Sequence, residues 1–166
     1  QKPARDFESL KKEELFVARN GEIISDQLHG HMPHAAIMHV DNPDEESLNL
    51  NLFSRNYVIS GGFAIQYDKY KKQLRIDRSN LTNQLNTEYG TVRQLKIDSG
   101  LKSLDILVDH STVEIFVNDG EYVLSSRVFP TDDEHMIRMG GKNLNLMIWQ
   151  TEPSVDDEAI IFAENQ

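Results

Sequence analysis

The chain has 166 residues, which is the length of one domain. Its composition, with 39% hydrophobic and 27% charged residues, argues against disorder. A formal net charge of -10 disfavours nucleic acid and anionic membranes as partners, and no apolar run reaches the roughly 18 residues of a membrane helix. With no cysteine, disulfides, zinc–thiolate sites and a cysteine nucleophile are excluded. The same absence favours a reducing, cytoplasmic location, with secretion as the alternative.

Hydrophobic residues alternate with polar ones in segment after segment, which is typical of strands with one buried face. Leu48, Leu50 and Leu52, for example, share one face, and Asn49 and Asn51 share the other. We predict strands at 15–18, 23–25, 35–40, 47–53, 63–67, 74–77, 92–97, 104–109, 113–117, 122–129, 136–139 and 144–149. Helical spacing occurs only at 7–14, a stretch that could equally be a linker.

The clearest hairpin signal lies between 113–117 and 122–129. Asp119 and Gly120 suit the two central positions of a type I′ turn, since both positions need positive φ. Pro130 ends the second strand because it has no N–H to donate.

Strands at short intervals with polar turns predict an all-β fold. About eleven or twelve strands are too many for one open twisted sheet, so we expect two packed antiparallel sheets. The predicted fold is a two-sheet antiparallel β-sandwich, of the concanavalin-like jelly-roll type, with little or no helix.

Two blocks of sequence resemble the C-terminal signature of glycoside hydrolase family 32, the β-fructosidases of invertase and sucrose-6-phosphate hydrolase type. The first block runs from Ser103 to Glu121, with Val113-Glu114-Ile115-Phe116 and Asn118-Asp119-Gly120, and continues as Arg127-Val128-Phe129-Pro130. The second block leads from Tyr67-Asp68 to Asp77-Arg78-Ser79, and residues 1–10 are similar to the family's linker. The resemblance implies a linker at 1–14, a sandwich domain at 15–150 and an acidic tail at 151–166.

In that family the catalytic groups belong to an N-terminal five-bladed propeller, with two carboxyl groups about 5–5.5 Å apart as retaining hydrolysis requires. The family's catalytic motifs are missing from this chain: Asn118-Asp119-Gly120 lacks the Pro-Asn insert, Arg5-Asp6-Phe7 lacks the proline, and the Glu-Cys motif needs a cysteine.

The resemblance therefore implies a structural module with no catalytic residue, no cofactor and no metal site. Its partner would be its own propeller, and a small sugar substrate would be bound only through the parent enzyme, which cleaves sucrose or sucrose 6-phosphate at the fructosyl bond. We expect the isolated chain to fold and to be inactive. A carbohydrate-binding module and a dimerisation element remain as alternatives.

Two groups of residues invite metal ligation. His29, His31 and His34 lie close together, but their spacing matches no usual zinc pattern, so an exposed loop is the simpler interpretation. The acidic run from Asp132 to Glu134 offers oxygen ligands for calcium, yet it lacks the pattern of an EF-hand loop, and a solvated turn is expected.

Adjacent residues Asp109, His110 and Ser111 cannot converge as a catalytic triad, because neighbours on a strand point to opposite faces. Trp149 and Tyr122 could stack on a sugar, although packing at the core or its rim is the ordinary role of such residues.

Asp77 and Arg78 suggest an ion pair that ties a strand end to a loop. Such a pair is worth about 0–1 kcal/mol if exposed and matters more if buried.

Overall fold

The computed structural model describes residues 13–19, 23–24, 35–55, 62–82, 92–109 and 111–151, with the backbone alone for 13–19, 23–24 and 135. Within these ranges the chain forms twelve strands and no helix. The strands are β1 (Glu13–Arg19), β2 (Ile23–Ile24), β3 (Ala35–Asp41), β4 (Leu48–Arg55), β5 (Gly62–Asp68), β6 (Gln73–Asn80), β7 (Val92–Lys96), β8 (Ser103–Asp109), β9 (Thr112–Val117), β10 (Tyr122–Arg127), β11 (Glu134–Gly141) and β12 (Asn145–Gln150).

The strands form two six-stranded antiparallel sheets. The first sheet has the order β1-β12-β3-β8-β9-β10, and the second has the order β2-β11-β4-β5-β6-β7. Every hydrogen-bonded pair is antiparallel. The prediction of an all-β, two-sheet antiparallel sandwich is confirmed.

One hydrophobic core lies between the two sheets, as the alternating sequence requires. Both sheets contribute fully buried side chains to it, and burying each contributes about 1.5–3 kcal/mol. Those with 0% exposure include Met38, Ile106, Leu146 and Ile148 from the first sheet and Leu50, Leu52, Ile65 and Leu74 from the second.

Predicted strand ends differ from the observed ones where pairing with a distant strand decides the boundary. Glu13 and Glu14, given helical spacing above, belong to β1 because Gln150 and Trp149 of β12 pair with them; residues 7–12 lie outside the described ranges. Strand β10 ends at Arg127, two residues before the predicted end, although the N–H of Val128 still donates to the carbonyl of Ser111 at 2.8 Å in the register of the preceding pairs.

The turn between β9 and β10 contains three successive residues with positive φ. Asp119 and Gly120 have φ of 59° and 94°, as predicted for a type I′ turn, and Asn118 joins them with φ of 51°. The N–H of Gly120 donates to the carbonyl of Val117 at 3.0 Å. Asn118, which the prediction placed at the first position of the turn, is therefore a central residue of the turn that this bond closes.

The loops gather at two ends of the sandwich. The first end carries the loops β3–β4, β5–β6, β7–β8, β9–β10 and β11–β12, and the second end carries the loop between β10 and β11 and the short β8–β9 connection. Polar side chains that organise the loops are concentrated at these ends.

Candidate functional surfaces

At the first end, the loop of residues 97–102 between β7 and β8 is a hydrogen-bonded hub. Asn42, which is fully buried, donates from Nδ2 to the carbonyls of Leu101 at 2.9 Å and Glu46 at 2.8 Å. Its Oδ1 accepts the N–H of Glu46 at 3.0 Å. One asparagine thereby fixes the β3–β4 loop to the 97–102 loop.

Asn118 fixes the β9–β10 turn to the same loop. Its Nδ2 donates to the carbonyl of Gly100 at 2.7 Å, and its Oδ1 accepts the N–H of Lys102 at 2.8 Å. Lys72, at the end of the β5–β6 turn, adds a third tie through its carbonyl, which accepts the N–H of Ile97 at 2.7 Å. Loops of both sheets are thus held together by backbone-directed bonds.

At the second end, Glu134 is a buried carboxylate whose side chain has 0% exposure. Its Oε2 accepts the N–H of Thr82 at 3.0 Å, and its Oε1 accepts the N–H and the hydroxyl of Thr131 at 2.9 Å and 3.0 Å. The guanidinium of Arg55 lies 4.0 Å from Oε2. The carboxylate therefore joins the β10–β11 loop to the chain that follows β6.

In the middle of the first sheet, on the side that faces away from the core, a histidine lies between two carboxylates. The ring Nδ1 of His39 lies 2.6 Å from Oδ1 of Asp105, its direct cross-strand partner on β8. The ring Nε2 lies 2.9 Å from Oδ1 of Asp41, two residues along β3. We call His39, Asp41 and Asp105 the histidine–carboxylate trio.

The pKa of His39 is raised above its ordinary value of 6.5, chiefly by the hydrogen bond to Asp105 and against the opposing effect of burial. The charge of Asp105 and the contact with Asp41 add to the increase. The side chains of His39 and Asp105 are 25% and 19% exposed and that of Asp41 is 48% exposed, so solvent screens the contact with Asp41 more than the contact with Asp105.

Apolar side chains flank the trio. On β3 and β8, Ile37 and Leu107 are direct partners and are 0% and 9% exposed, although both point away from the core between the sheets. Phe116 of β9 is opposite Asp105 and is 9% exposed. The low exposure of these neighbours explains why burial opposes ionisation of His39.

The sequence candidates for sugar contact do not form one platform. Trp149 is half-buried and pairs with Ile37 on the side of the first sheet away from the core. Tyr122 packs against the core cluster on the other side of that sheet. The two rings therefore cannot stack on one sugar.

The acidic run from Asp132 to Glu134 divides into exposed and buried residues. Asp132 and Asp133 are exposed, as expected for a solvated turn, and Asp133 contacts the hydroxyl of Thr131. The expectation is wrong for Glu134, because backbone N–H groups of Thr82 and Thr131 replace water around its carboxylate.

The structure gives Asp77 an ion-pair partner that the sequence did not indicate, Arg75. Oδ2 of Asp77 lies 3.1 Å from Nη2 of Arg75, which shares its face of β6, and Oδ1 accepts the N–H of Ser79 at 2.8 Å.

His29, His31, His34 and His110 lie outside the described residues, as does the Arg5-Asp6-Phe7 segment. Within the described ranges, no three histidine, aspartate or glutamate side chains are arranged to hold a metal ion. The same ranges contain no helix that is long and apolar enough to cross a membrane.

Sequence reasoning missed the histidine–carboxylate trio. The one available signal was the placement of His39, Asp41 and Asp105 at outward positions of otherwise apolar strands. Such residues meet only if their strands pair in the right register. Because β3 and β8 are far apart in sequence, the sequence alone does not indicate their pairing.

Comparison with known proteins defines the class as the C-terminal β-sandwich of a glycosyl hydrolase. The family model "Glycosyl hydrolases family 32 C terminal" matches residues 15–150, and the chain therefore belongs to this family. Among curated proteins, it is 30% identical over 133 residues to a sucrose-6-phosphate hydrolase of Staphylococcus xylosus, covering 80% of this chain and 26% of that protein. It is 37% identical over 91 residues to a probable sucrose-6-phosphate hydrolase of Vibrio cholerae, covering 55% of this chain and 16% of that protein.

Solved structures show the same fold. A sucrose-6-phosphate hydrolase from Lactobacillus gasseri superimposes with a TM-score of 0.77 at 24% identity, covering 92% of this chain and 30% of that one. An exo-inulinase from Aspergillus awamori gives a TM-score of 0.72 at 17% identity, covering 92% of this chain and 32% of that one. The chain thus spans about a third or less of the proteins it matches.

Proposed function

We propose that this chain is the non-catalytic C-terminal module of a β-fructosidase that hydrolyses sucrose or sucrose 6-phosphate at the fructosyl bond. The observation that carries the proposal is the match of residues 15–150 to the C-terminal family model. The curated relatives named sucrose-6-phosphate hydrolase support the substrate class. The catalytic domain would be N-terminal, and the module would pack against that domain and stabilise it.

The roles of the described carboxylates support a structural module. Retaining glycosidases need one carboxylate free to attack the sugar and a second carboxyl group free to protonate the leaving group. Here Glu134 accepts three hydrogen bonds from Thr82 and Thr131, and Asp105 is hydrogen-bonded to His39. These carboxylates hold loops and strands together.

The test is a fructose-release assay on the purified chain with sucrose and with sucrose 6-phosphate. We expect no release above a protein-free blank, while the full-length Staphylococcus xylosus enzyme is the positive control. Fructose released by the pure chain at a rate proportional to its concentration would contradict the proposal.

The stabilising role has its own measurement. A catalytic domain produced from the same gene should melt at a higher temperature when this chain is co-expressed with it, and the two should co-purify. Equal melting temperatures with and without the chain would contradict a stabilising role and leave the family membership intact.

Homodimer formation and a cytoplasmic location stay predictions from the sequence. No described contact favours the carbohydrate-binding alternative, since Trp149 and Tyr122 lie on opposite sides of the first sheet.

A further inference from the structure

Both ring nitrogens of His39 lie within hydrogen-bond distance of a carboxylate oxygen, at 2.6 Å from Asp105 and 2.9 Å from Asp41. A neutral imidazole carries one N–H and can donate to only one of the two carboxylates. Its other nitrogen would then turn a lone pair towards a negatively charged oxygen. The imidazolium donates to both, so the observed geometry matches the protonated ring.

Among the described side chains, the residues paired with the trio on β12, β8 and β9 include no cation. On β12, Met147 is opposite His39 and Asn145 is opposite Asp41, and neither ionises in the range of a histidine. The partners and neighbours on β8 and β9 are Ser103, Leu107, Phe116 and Glu114, of which Glu114 alone is ionisable. Among these described residues, a protonated His39 is therefore the positive charge that lies beside both Asp41 and Asp105.

We propose that His39 is a proton-operated clamp in the middle of the first sheet. The imidazolium ties β3 to β8 through Asp105 and is held from the other side by Asp41. When the ring loses its proton, one of the two bonds is lost, and the two carboxylates face a neutral ring at close range. The sheet then loses part of its stability without any change in its strand order.

The pH window follows from the direction of the shift. The pKa of folded His39 is raised above the unfolded value of 6.5, so the folded state holds the proton more tightly. The stabilisation is complete below about pH 6.5, the ordinary pKa of a histidine in the unfolded chain. It is lost as the pH rises through the raised pKa. Each unit of increase in this pKa corresponds to about a tenfold change in the unfolding equilibrium constant.

The first measurement is the pKa of His39 itself. The chain has six histidines, and NMR titration of their ring protons gives each pKa, with the His39 signal identified by its loss in His39→Gln. We expect the pKa of His39 to lie above 6.5 and to fall towards or below that value in Asp105→Asn. A His39 pKa at or below 6.5 in the unmodified chain would overturn the proposal.

The second measurement links protonation to stability. The melting temperature of the unmodified chain should fall between pH 6 and pH 9, and His39→Gln should lose the part of the fall that follows the His39 titration. Asp98→Asn is the matched control, because it removes a carboxylate whose side chain is 82% exposed on the 97–102 loop. It should leave the His39 pKa and the pH profile unchanged. If His39→Gln keeps the full pH dependence, His39 is not the clamp.

Discussion

Replacing Glu134 by glutamine tests how much a buried carboxylate contributes to the second end of the sandwich. The change keeps the size of the side chain and removes its charge. One carboxylate oxygen accepts from Thr82, and the other accepts twice from Thr131. An amide can offer only one oxygen, so its NH2 group must face a backbone N–H of Thr82 or Thr131.

The magnitude follows from these contacts. The backbone N–H that faces the new NH2 group loses its acceptor, which costs about 1–3 kcal/mol. The bonds that remain change from charge-assisted to neutral, which removes about 1 kcal/mol more. The free energy of unfolding should therefore fall by about 3 kcal/mol. For a domain of this size, that lowers the melting temperature by about 6–12 °C.

Calorimetry or urea unfolding followed by circular dichroism measures the loss. The matched control is Asp132→Asn, two residues away and exposed, which should change the free energy of unfolding by no more than about 0.5 kcal/mol. If Glu134→Gln unfolds within about 1 kcal/mol of the unmodified chain, then the bonds to Thr82 and Thr131 do not hold this end together.

Two further substitutions test single positions by the same unfolding assays. Gly62→Ala should destabilise the chain by about 3 kcal/mol, because φ is +84° and a Cβ would lie 2.3 Å from the carbonyl oxygen of Leu52. Gly140→Ala, with nothing within 4 Å of the added Cβ, should be nearly neutral, and equal losses for the two would refute the steric reason. Asn118→Gly should cost about 2 kcal/mol by removing the bonds to the 97–102 loop while accommodating positive φ. Asn143→Gly, also at positive φ but with an exposed bond to Asp44, should cost less than about 0.5 kcal/mol, and a similar loss at both would contradict the hub role.

Alternation of side chains predicted much of this fold because a sandwich buries one face of each strand. Two of the predicted features are local: the apolar face formed by Leu48, Leu50 and Leu52, and the turn with positive φ at Asp119 and Gly120. The structure has both features where the sequence placed them. The family resemblance rested on the same local blocks. These signals need no knowledge of which strands become neighbours.

What the sequence did not predict depends on pairing between distant segments. Asp105 meets His39 only because β8 is antiparallel to β3 in one particular register. Glu134 is buried because the chain after β6 returns to it, with Thr82 as donor, and nothing in an acidic run indicates that contact.

The pairing of β1 with β12 places the start of the first described strand beside the end of the last. Glu13, at the start of the first strand, is opposite Gln150, at the end of the last, so the chain enters and leaves at one corner. Paired residues in antiparallel strands have Cα atoms about 4.5–5.5 Å apart. A force applied through both ends would therefore peel these two strands apart one hydrogen bond at a time, as in unzipping.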